Sequence, residues 1–429
     1  MRTSQITFQE HIPKEREGAY YERPFAVPAG VCRIDVAYGY CRFQERGGAG
    51  GAEARRETAI VDLALRDGRG RHVGASGAGR REIHVSGWDS SPGYALTDTE
   101  EGEWAVVVGA YRIPDEGVTV TYTVTFTHKE RTLLLGDVHV HTDASDGRLP
   151  LAEAVRQAGY CGLDFLFITD HNGCAQNPRI PGLETGGLTV LPGMEWTHYR
   201  GHAGLLGAAR PIDSPFCVNT REEAYARLAE ARKNGAVTVL NHPFCPNTGW
   251  HFGLDQGGFD LVELVNGGVP DAANEECLRW WHERLCRGER LGAAGGSDYH
   301  RPGPGRGIGQ PATALYALSP APSDILAALR RGNGYIVLWP EGPVLRAQAG
   351  EAILGETADR GEEVSVELEG LRGGDVLRLI TDQAQEEAVC PPETWRLSLR
   401  RRFPQARFVR FELLRGNKRI LLSNPIYFS

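Results

Sequence analysis

The sequence predicts an α/β fold in the middle of the chain, with a β-rich region on either side. Residues 1–131 hold short strand-like runs without helical periods, residues 132–340 alternate short apolar strands with helix-length segments, and residues 341–429 return to short strands. A chain of 429 residues is also longer than a single core usually supports. We therefore predict three domains with these boundaries.

The first region, residues 1–131, is predicted to be a β-sandwich. Its strand-like runs are Val31–Tyr40, Thr58–Leu65, Trp104–Val108 and the alternating Val118–Phe126. Turn residues separate these runs, and no segment between them has a helical period. This pattern of short strands separated by turns is typical of two packed antiparallel sheets.

The second region, residues 132–340, is predicted to consist of βα units. The predicted strands are Leu133–Val140, Asp164–Thr169, Leu188–Met194, Ala236–Asn241, Leu261–Val265 and Leu291–Gly295. Predicted helices follow Pro150, with Leu151, Ala154, Val155 and Ala158 on one face, and cover Glu222–Lys233 and Asn274–Cys286. Repeated βα units require parallel strands, and their number favours a barrel-like closure.

The third region, residues 341–429, is predicted to be a second, smaller β-sandwich. Its strand-like runs include Glu363–Leu368, Asp375–Ile380 and Arg407–Leu413.

The composition excludes some classes of partner. The net charge is −8, and the densest basic run is the short cluster Arg400-Arg401-Arg402, so we expect no nucleic-acid binding. The first residues lack the apolar core of a signal peptide, and no stretch is long and apolar enough for a membrane span. With nine cysteines, no paired CxxC spacing and no export signal, we expect a cytoplasmic protein with reduced thiols. Association into a homo-oligomer stays open.

Residues that commonly bind metals or catalyse reactions follow the predicted strands of the middle region. His139 and His141 are two residues apart, so on a strand both side chains point the same way. The other residues of this kind are Asp146, Asp170, His171, Glu195, His202, His242, Asp298 and His300. Each cluster lies at the carboxyl end of a strand, which is the face where parallel barrels form their active sites.

An alternative explanation is that these histidines are buried core residues with satisfied hydrogen bonds. Six of the 13 histidines lie at such strand ends. That placement would have to recur by coincidence at five separate strands, so the pattern favours a metal site. Nitrogen and oxygen donors without thiolates suit Zn²⁺, Mn²⁺ or Fe²⁺.

The motifs HVHTDASDG, FITDHN, GMEW, NHP and GSDYH, in this order, resemble those of the polymerase-and-histidinol-phosphatase (PHP) superfamily. The resemblance implies a distorted seven-stranded (β/α) barrel that holds two or three divalent metal ions. The segments Ser91–Tyr94, Gly102–Trp104, Val108–Gly109 and Ser423–Tyr427 are similar to the carbaryl-hydrolase-like branch. That branch implies β-sandwich modules on both sides of the barrel.

The resemblance also assigns ligands to three metal positions. The first position takes His139, His141, Glu195 and Asp298, the second takes Glu195 as a bridge with His202 and His242, and the third takes Asp146, His171 and His300. Some members have a histidine one position after Asp146, where this chain has Gly147. Occupancy of the third position therefore depends on the Asp146 carboxylate.

The expected activity is hydrolysis by a hydroxide that bridges the first two metal ions. Glu195, Asp298 and His300 are the expected catalytic residues, and the expected substrate contacts are Arg301, Arg306, His198 and Arg200. The general acid stays open among His198, His251 and Tyr299.

Three functions remain after the sequence analysis. The first is a phosphoesterase acting on a small mono- or diester. The second is a hydrolase of a carbamate, ester or amide that uses the same metal centre. The third is an interaction protein with a degenerate metal site, which the complete ligand set disfavours.

Overall fold

The computed structural model describes residues 2–46, 54–255, 257–303 and 306–429. Contacts within the chain divide it into two compact units, Met1–Arg131 and Thr132–Ser429. The further division of the second unit at residue 340 stays a prediction.

The first unit consists of two four-stranded antiparallel sheets. Its strands are β1 (Thr3–Ile12), β2 (Tyr20–Val27), β3 (Val31–Gly39), β4 (Phe43–Arg46), β5 (Ala54–Glu57), β6 (Ile60–Arg66), β7 (His72–Gly77), β8 (Glu82–Ser86), β9 (Gly102–Arg112) and β10 (Val118–His128). One sheet has the order β1-β10-β3-β8 and the other the order β2-β9-β6-β7, while β4 and β5 form a separate pair. In β10, alternate residues from Val118 to Phe126 are buried, and they share one core with Trp104 and Leu63 of the other sheet.

The second unit carries the remaining strands. They are β11 (Thr132–Asp137), β12 (Phe165–Ile168), β13 (Thr189–His198), β14 (Gly201–Leu206), β15 (Val237–Asn241), β16 (Leu261–Asn266), β17 (Gly292–Gly296), β18 (Ala312–Ala317), β19 (Gly334–Val337), β20 (Val344–Ala349), β21 (Ala352–Ile353), β22 (Thr357–Ala358), β23 (Glu363–Glu369), β24 (Val376–Thr381), β25 (Gln385–Val389), β26 (Arg396–Arg402), β27 (Phe408–Arg415), β28 (Lys418–Ser423) and β29 (Ile426–Phe428).

In the described part of the second unit, four α-helices pack against these strands. They are α1 (Leu151–Tyr160), α2 (Arg221–Lys233), α3 (Asp271–Cys286) and α4 (Pro322–Arg331). The predicted apolar face of α1 is buried. Thr220 and Glu223 form a capping box that begins α2, and Gly332, in the left-handed conformation, ends α4. No helix in the described part of the chain combines the length and apolar character needed to cross a bilayer.

The main sheet is curled, and the described residues do not form the expected closed barrel of seven βα units. Strands β17-β16-β15-β14-β13-β12-β11 are successive neighbours, but the path continues through β18 and β19 into the C-terminal strands. Strand β14 runs antiparallel to both neighbours. Only Tyr199 and Arg200 connect it to β13, and so short a turn joins antiparallel strands. Strand β18 pairs antiparallel with the outer edge of β11.

The curl brings the carboxyl ends of the two outermost of these seven strands together. The Asp298 N–H, after β17, donates to the His139 carbonyl after β11 at 2.9 Å, and the His141 N–H donates to the Tyr299 carbonyl at 3.0 Å. Residues that are far apart in the sequence therefore meet at one end of the sheet.

The C-terminal region, residues 341–429, shares a sheet with the preceding strands. Strand β28 pairs with β19, and a buried Asn424 side chain donates to the Ala293 carbonyl at 2.9 Å and accepts from the Ala293 N–H at 2.7 Å. A second sheet, β21-β20-β23-β26, covers this region. The motif around Asn424 thus has a structural role next to β17.

Candidate metal centre

All nine residues that the resemblance assigns as ligands lie in one cluster at the carboxyl end of the curled sheet. His139 and His141 follow β11, His171 follows β12, and Glu195 and His202 face each other across the β13–β14 hairpin. His242 follows β15, and Asp298 and His300 follow β17. The remaining ligand, Asp146, lies in the turn after His141, close to His171 and His300.

The first ligand group comprises four buried or nearly buried residues. The His139 Nε2 lies 3.2 Å from Glu195 Oε1 and 3.4 Å from Asp298 Oδ1. The His141 Nε2 lies 3.2 Å from the same Asp298 oxygen and 3.6 Å from Glu195 Oε2. Two imidazoles and two carboxylates thus point at one position.

The second ligand group shares Glu195 with the first. Its Oε1 atom lies 3.2 Å from His202 Nδ1 and 3.2 Å from His242 Nε2. The carboxylate is completely buried, and the Asn241 amide donates a hydrogen bond to Oε1 at 2.8 Å. Glu195 therefore stands between two sets of imidazoles, which is the arrangement that a bridging ligand needs.

The third ligand group is the most exposed. The Asp146 Oδ1 lies 3.4 Å from His171 Nε2 and 3.2 Å from His300 Nε2. The Asp146 side chain is 62% exposed, whereas the Glu195 side chain is 0% exposed. A metal ion in this group would therefore be the one closest to solvent.

The unpaired polar atoms of the cluster fit metal ions. Within the described residues, no hydrogen bond reaches His139 Nε2, either ring nitrogen of His141, Glu195 Oε2 or His202 Nδ1, although all are buried. Each buried polar atom without a partner costs about 1–3 kcal/mol. Metal–ligand bonds of about 2.0–2.1 Å set neighbouring donor atoms about 3.0–3.4 Å apart. The donor separations in this cluster are close to that spacing.

The charges in the cluster depend on one another. Burial lowers the pKa of His242, but the Glu195 carboxylate reverses this and raises that pKa to about 9. Burial raises the pKa of Glu195, but His139 and other nearby imidazoles lower it well below its usual value. The carboxylates therefore stay ionised only with positive charge beside them, which divalent ions supply without keeping the histidines protonated.

Three ligand-bearing segments have unusual backbone angles. Asn172, His242 and Asp298 have positive φ values of 47°, 28° and 52°, and Glu393 is the one other non-glycine residue of this kind in the described chain. Such conformations cost about 1–3 kcal/mol and often occur at functional sites. Here they turn the chain at the strand ends, where the donors face inward.

Buried carboxylates behind the ligands fix the loops that carry them. Asp137 accepts hydrogen bonds from the backbone N–H groups of His139, Ser297 and Gly309 at 3.1, 3.0 and 2.7 Å. Burial raises the pKa of Asp137 to about 6. Asp170, which could also be read as a ligand from the sequence, instead accepts from Thr142 and Ser145 and has no place in the ligand groups.

Asn172 hydrogen-bonds to the neighbouring strand β13. Its side chain donates to the Thr197 carbonyl at 2.8 Å and accepts from the Thr197 N–H at 2.8 Å. The Thr197 hydroxyl in turn lies 2.6 Å from His171 Nδ1, which orients that imidazole.

A cleft of about 440 Å³ opens beside the third ligand group. It is lined by Asp146, Arg148, Gly268, Ser297, Asp298, Tyr299, His300, Arg301, Arg306 and Gly307. Two predicted substrate contacts, Arg301 and Arg306, thus lie at this cleft, and Arg148 joins them. All three arginines are exposed, and none forms an ion pair within the described residues. Arg148 is not among the residues predicted from the sequence, although its position two residues after Asp146 is a usable signal.

The other two predicted substrate contacts, His198 and Arg200, have structural partners. His198 Nε2 lies 3.1 Å from the Val218 carbonyl, and its Nδ1 accepts from the Arg200 N–H at 3.0 Å. The Arg200 guanidinium donates to the His251 carbonyl at 2.8 Å and lies over the Phe252 ring. Neither residue lines the 440 Å³ cleft.

A larger cleft of about 620 Å³ lies elsewhere in the second unit. It is bounded by α3 and by C-terminal residues such as Arg378 and Lys418. None of the nine candidate ligands lines it, so the smaller cleft is the one that belongs to the candidate metal centre.

No protein-family model and no curated protein sequence matches this chain. Among solved structures, it is similar to a two-domain protein from Bacteroides vulgatus ATCC 8482, described as containing a predicted PHP-like metal-dependent phosphoesterase. The identity is 19%, the TM-score is 0.42, and the match covers 69% of this chain and 96% of that one.

Two further solved structures are similar. One is a candidate metal-dependent phosphoesterase from Bifidobacterium adolescentis ATCC 15703, with 20% identity, a TM-score of 0.32, and coverage of 41% of this chain and 90% of that one. The other is an amidohydrolase from Chromobacterium violaceum with bound sulfate and no metal, with 18% identity, a TM-score of 0.26, and coverage of 39% and 88%. These values are too low to support an inference about the activity of this chain.

Proposed function

We propose that this chain is a metal-dependent hydrolase of the PHP superfamily that acts on a small phosphate mono- or diester. The observation that carries the proposal is the cluster of nine imidazole and carboxylate side chains, in which several buried ring nitrogens and a carboxylate oxygen have no hydrogen bond within the described residues. Two or three divalent ions such as Zn²⁺, Mn²⁺ or Fe²⁺ fit these nitrogen and oxygen donors.

The residues of the cluster have distinct tasks in this proposal. When bound, the metal ions lower the pKa of coordinated water and stabilise negative charge on the substrate oxygens. Glu195 links the first two donor groups, and Asp298 holds His139 and His141 around the first. His300 hydrogen-bonds to the Asp298 carbonyl through Nδ1 at 2.8 Å, so its Nε2 faces Asp146 at the cleft.

The cleft beside the third ligand group favours an anionic substrate. Arg148, Arg301 and Arg306 line it without forming ion pairs to described residues. Guanidinium groups bind phosphate oxygens by paired, charge-assisted hydrogen bonds. A neutral carbamate or amide has no negative charge to pair with these arginines. We therefore favour phosphate esters over that alternative as the substrate. The cleft has the size of a small-molecule site, and we propose no nucleic-acid partner.

A substrate panel tests the proposed function. We expect the protein loaded with Zn²⁺ or Mn²⁺ to hydrolyse p-nitrophenyl phosphate or bis(p-nitrophenyl) phosphate, and chelation to abolish the rate. Faster turnover of 1-naphthyl N-methylcarbamate than of either phosphate ester would favour the carbamate alternative. Absence of metal-dependent turnover on all three compounds would contradict a hydrolase.

An arginine variant refines the same test. We expect Arg301→Gln to raise the KM for the phosphate ester about 10- to 100-fold, because hydrogen bonds to charged groups contribute about 1.5–3 kcal/mol. Arg156→Gln is the matched control, since this exposed arginine pairs with Glu153 on α1. An unchanged KM in the Arg301 variant would remove this residue from the substrate site.

A further inference from the structure

Glu263 is a buried carboxylate that directly contacts the candidate metal ligands and that the assigned ligand set does not include. It lies on β16 among apolar residues and is 1% exposed. Its Oε1 atom lies 2.9 Å from His139 Nδ1. Its Oε2 atom accepts from the His242 backbone N–H at 3.0 Å and from the Asn266 amide at 2.9 Å.

The contact with His139 determines which ring nitrogen is free to bind a metal. A carboxylate can only accept, so the hydrogen bond to Oε1 requires a proton on His139 Nδ1. The other ring nitrogen, Nε2, then has its lone pair available, and it faces Glu195 and Asp298 at 3.2 and 3.4 Å. Metal-binding histidines are commonly oriented by a carboxylate in this way.

The second carboxylate oxygen controls two more parts of the cluster. This oxygen accepts a hydrogen bond from the backbone N–H of His242, whose φ is 28°. The hydrogen bond therefore holds a strained backbone in place. The same oxygen also accepts a hydrogen bond from the Asn266 amide nitrogen. That nitrogen lies 3.3 Å from Asp298 Oδ2, within hydrogen-bonding distance. One carboxylate therefore connects ligands of the first and second donor groups.

We propose that Glu263 is a positioning residue that fixes the tautomer of His139 and the backbone of His242, and thereby sets the affinity of the first two metal positions. This inference rests on the proposed metal-dependent function. A purely structural role would predict an effect on folding alone, whereas positioning predicts a change in metal affinity within a folded protein.

Glutamine at this position cannot reproduce the three contacts. If the glutamine amide nitrogen faced His139, it would donate a hydrogen bond to Nδ1. The imidazole would then favour the opposite tautomer, with its proton on Nε2. If the amide nitrogen faced the other way, it would oppose two donors, the His242 N–H and the Asn266 amide. The first orientation removes the tautomer that leaves His139 Nε2 free to bind a metal, and the second loses hydrogen bonds in a completely buried place.

The test measures Zn²⁺ and Co²⁺ affinity by competition with a chelator in the wild type and in Glu263→Gln. We expect a loss of about 10- to 100-fold at a site containing His139 or His242, the usual effect of losing a carboxylate that orients a ligand. We also expect the visible absorption bands of the Co²⁺-loaded protein to change, and histidine ¹⁵N NMR spectra of the Zn²⁺-loaded protein to show an altered His139 tautomer.

Glu412→Gln is the matched control. Glu412 is also a buried strand glutamate of this unit, but its partners are the guanidinium groups of Arg410 and Arg419. We expect this variant to keep wild-type metal affinity and Co²⁺ spectra, whatever its unfolding temperature. If Glu263→Gln does not fold, Glu263→Asp takes its place, because the carboxylate is then shorter by one C–C bond of about 1.5 Å and does not reach His139 in the same geometry.

The outcomes separate this inference from the proposed function. A wild-type protein that binds no metal would contradict the proposed function itself. A wild type that binds metal, with unchanged affinity, Co²⁺ spectrum and His139 tautomer in the folded Glu263 variant, would contradict the positioning role and leave the proposed function intact.

Discussion

Replacing Glu195 by glutamine is expected to lower the rate of hydrolysis by about 10³-fold and to reduce the metal content of the protein. Glu195 Oε1 lies 3.2 Å from the ring nitrogens of His139, His202 and His242. The substituted amide has no negative charge, and it presents N–H groups to a place that requires two acceptors. Both the first and the second metal positions should therefore weaken together.

The check is metal content by elemental analysis, together with kcat and KM under metal saturation. Metal lost from two positions at once is the signature of a shared ligand. If only one position loses its ion, Glu195 is an ordinary ligand and the bridge is wrong. If metal content and rate both equal those of the wild type, Glu195 has no part in the centre.

Replacing Gly296 by alanine is expected to damage the same centre by a steric route. A Cβ atom at this position would lie 2.5 Å from the His139 Cβ and 2.7 Å from Glu263 Oε1. The first of these atoms is attached to the backbone, so the strand must shift. We expect a loss of about 1–3 kcal/mol in the free energy of unfolding and, because His139 moves, a loss of about 10- to 100-fold in metal affinity.

Gly159→Ala serves as the control for that change. Gly159 lies near the end of α1, and apart from its chain neighbours and the backbone of its own helix, no described atom lies within 4 Å of an added Cβ. Alanine there should leave metal affinity unchanged and stabilise the protein by up to about 1 kcal/mol. Thermal unfolding and a metal titration of both variants provide the comparison. Equal metal affinity in the wild type and in Gly296→Ala would show that the close approach of β17 to His139 is dispensable.

The cluster could be predicted because its signal is local in the sequence. His139 and His141 are two residues apart, and Glu195, His242 and Asp298 each lie in or directly after an apolar strand. Since parallel strands that follow one another along a sheet end at the same edge, the pattern places these side chains together without any knowledge of the exact sheet. The structure brings them together as this reasoning predicts, and their role as ligands remains our proposal.

The sheet was harder to predict because its pairing depends on residues that are distant in the sequence. The apolar residues of β14 do not show whether this strand runs parallel or antiparallel to β13. The direction follows once the two-residue connection after His198 is recognised as a turn. Likewise, the sequence of the apolar β28 is compatible with a separate sandwich, whereas its pairing with β19 and the contacts of Asn424 show that the C-terminal region joins the main sheet. Strand-length apolar runs do not encode their partners.

The supporting residues show a similar limit. Glu263 had a recognisable signal, a single charge within the apolar run LVELV, but its partner His139 is 124 positions away. His198 and Arg200 were predicted to contact substrate because they lie between two candidate ligands. In the structure His198 lies beside the Val218 carbonyl and Arg200 lies over the Phe252 ring, and their contact with substrate stays a prediction.

The central claim is that Glu195 joins two metal positions at the carboxyl end of the curled sheet. A crystal structure of the protein with Zn²⁺ or Mn²⁺, with anomalous data collected on both sides of the metal absorption edge, tests it most directly. We predict two anomalous peaks in contact with Glu195, one also in contact with His139, His141 and Asp298 and the other with His202 and His242. Metal-saturated crystals with no anomalous peak among these side chains would contradict the account.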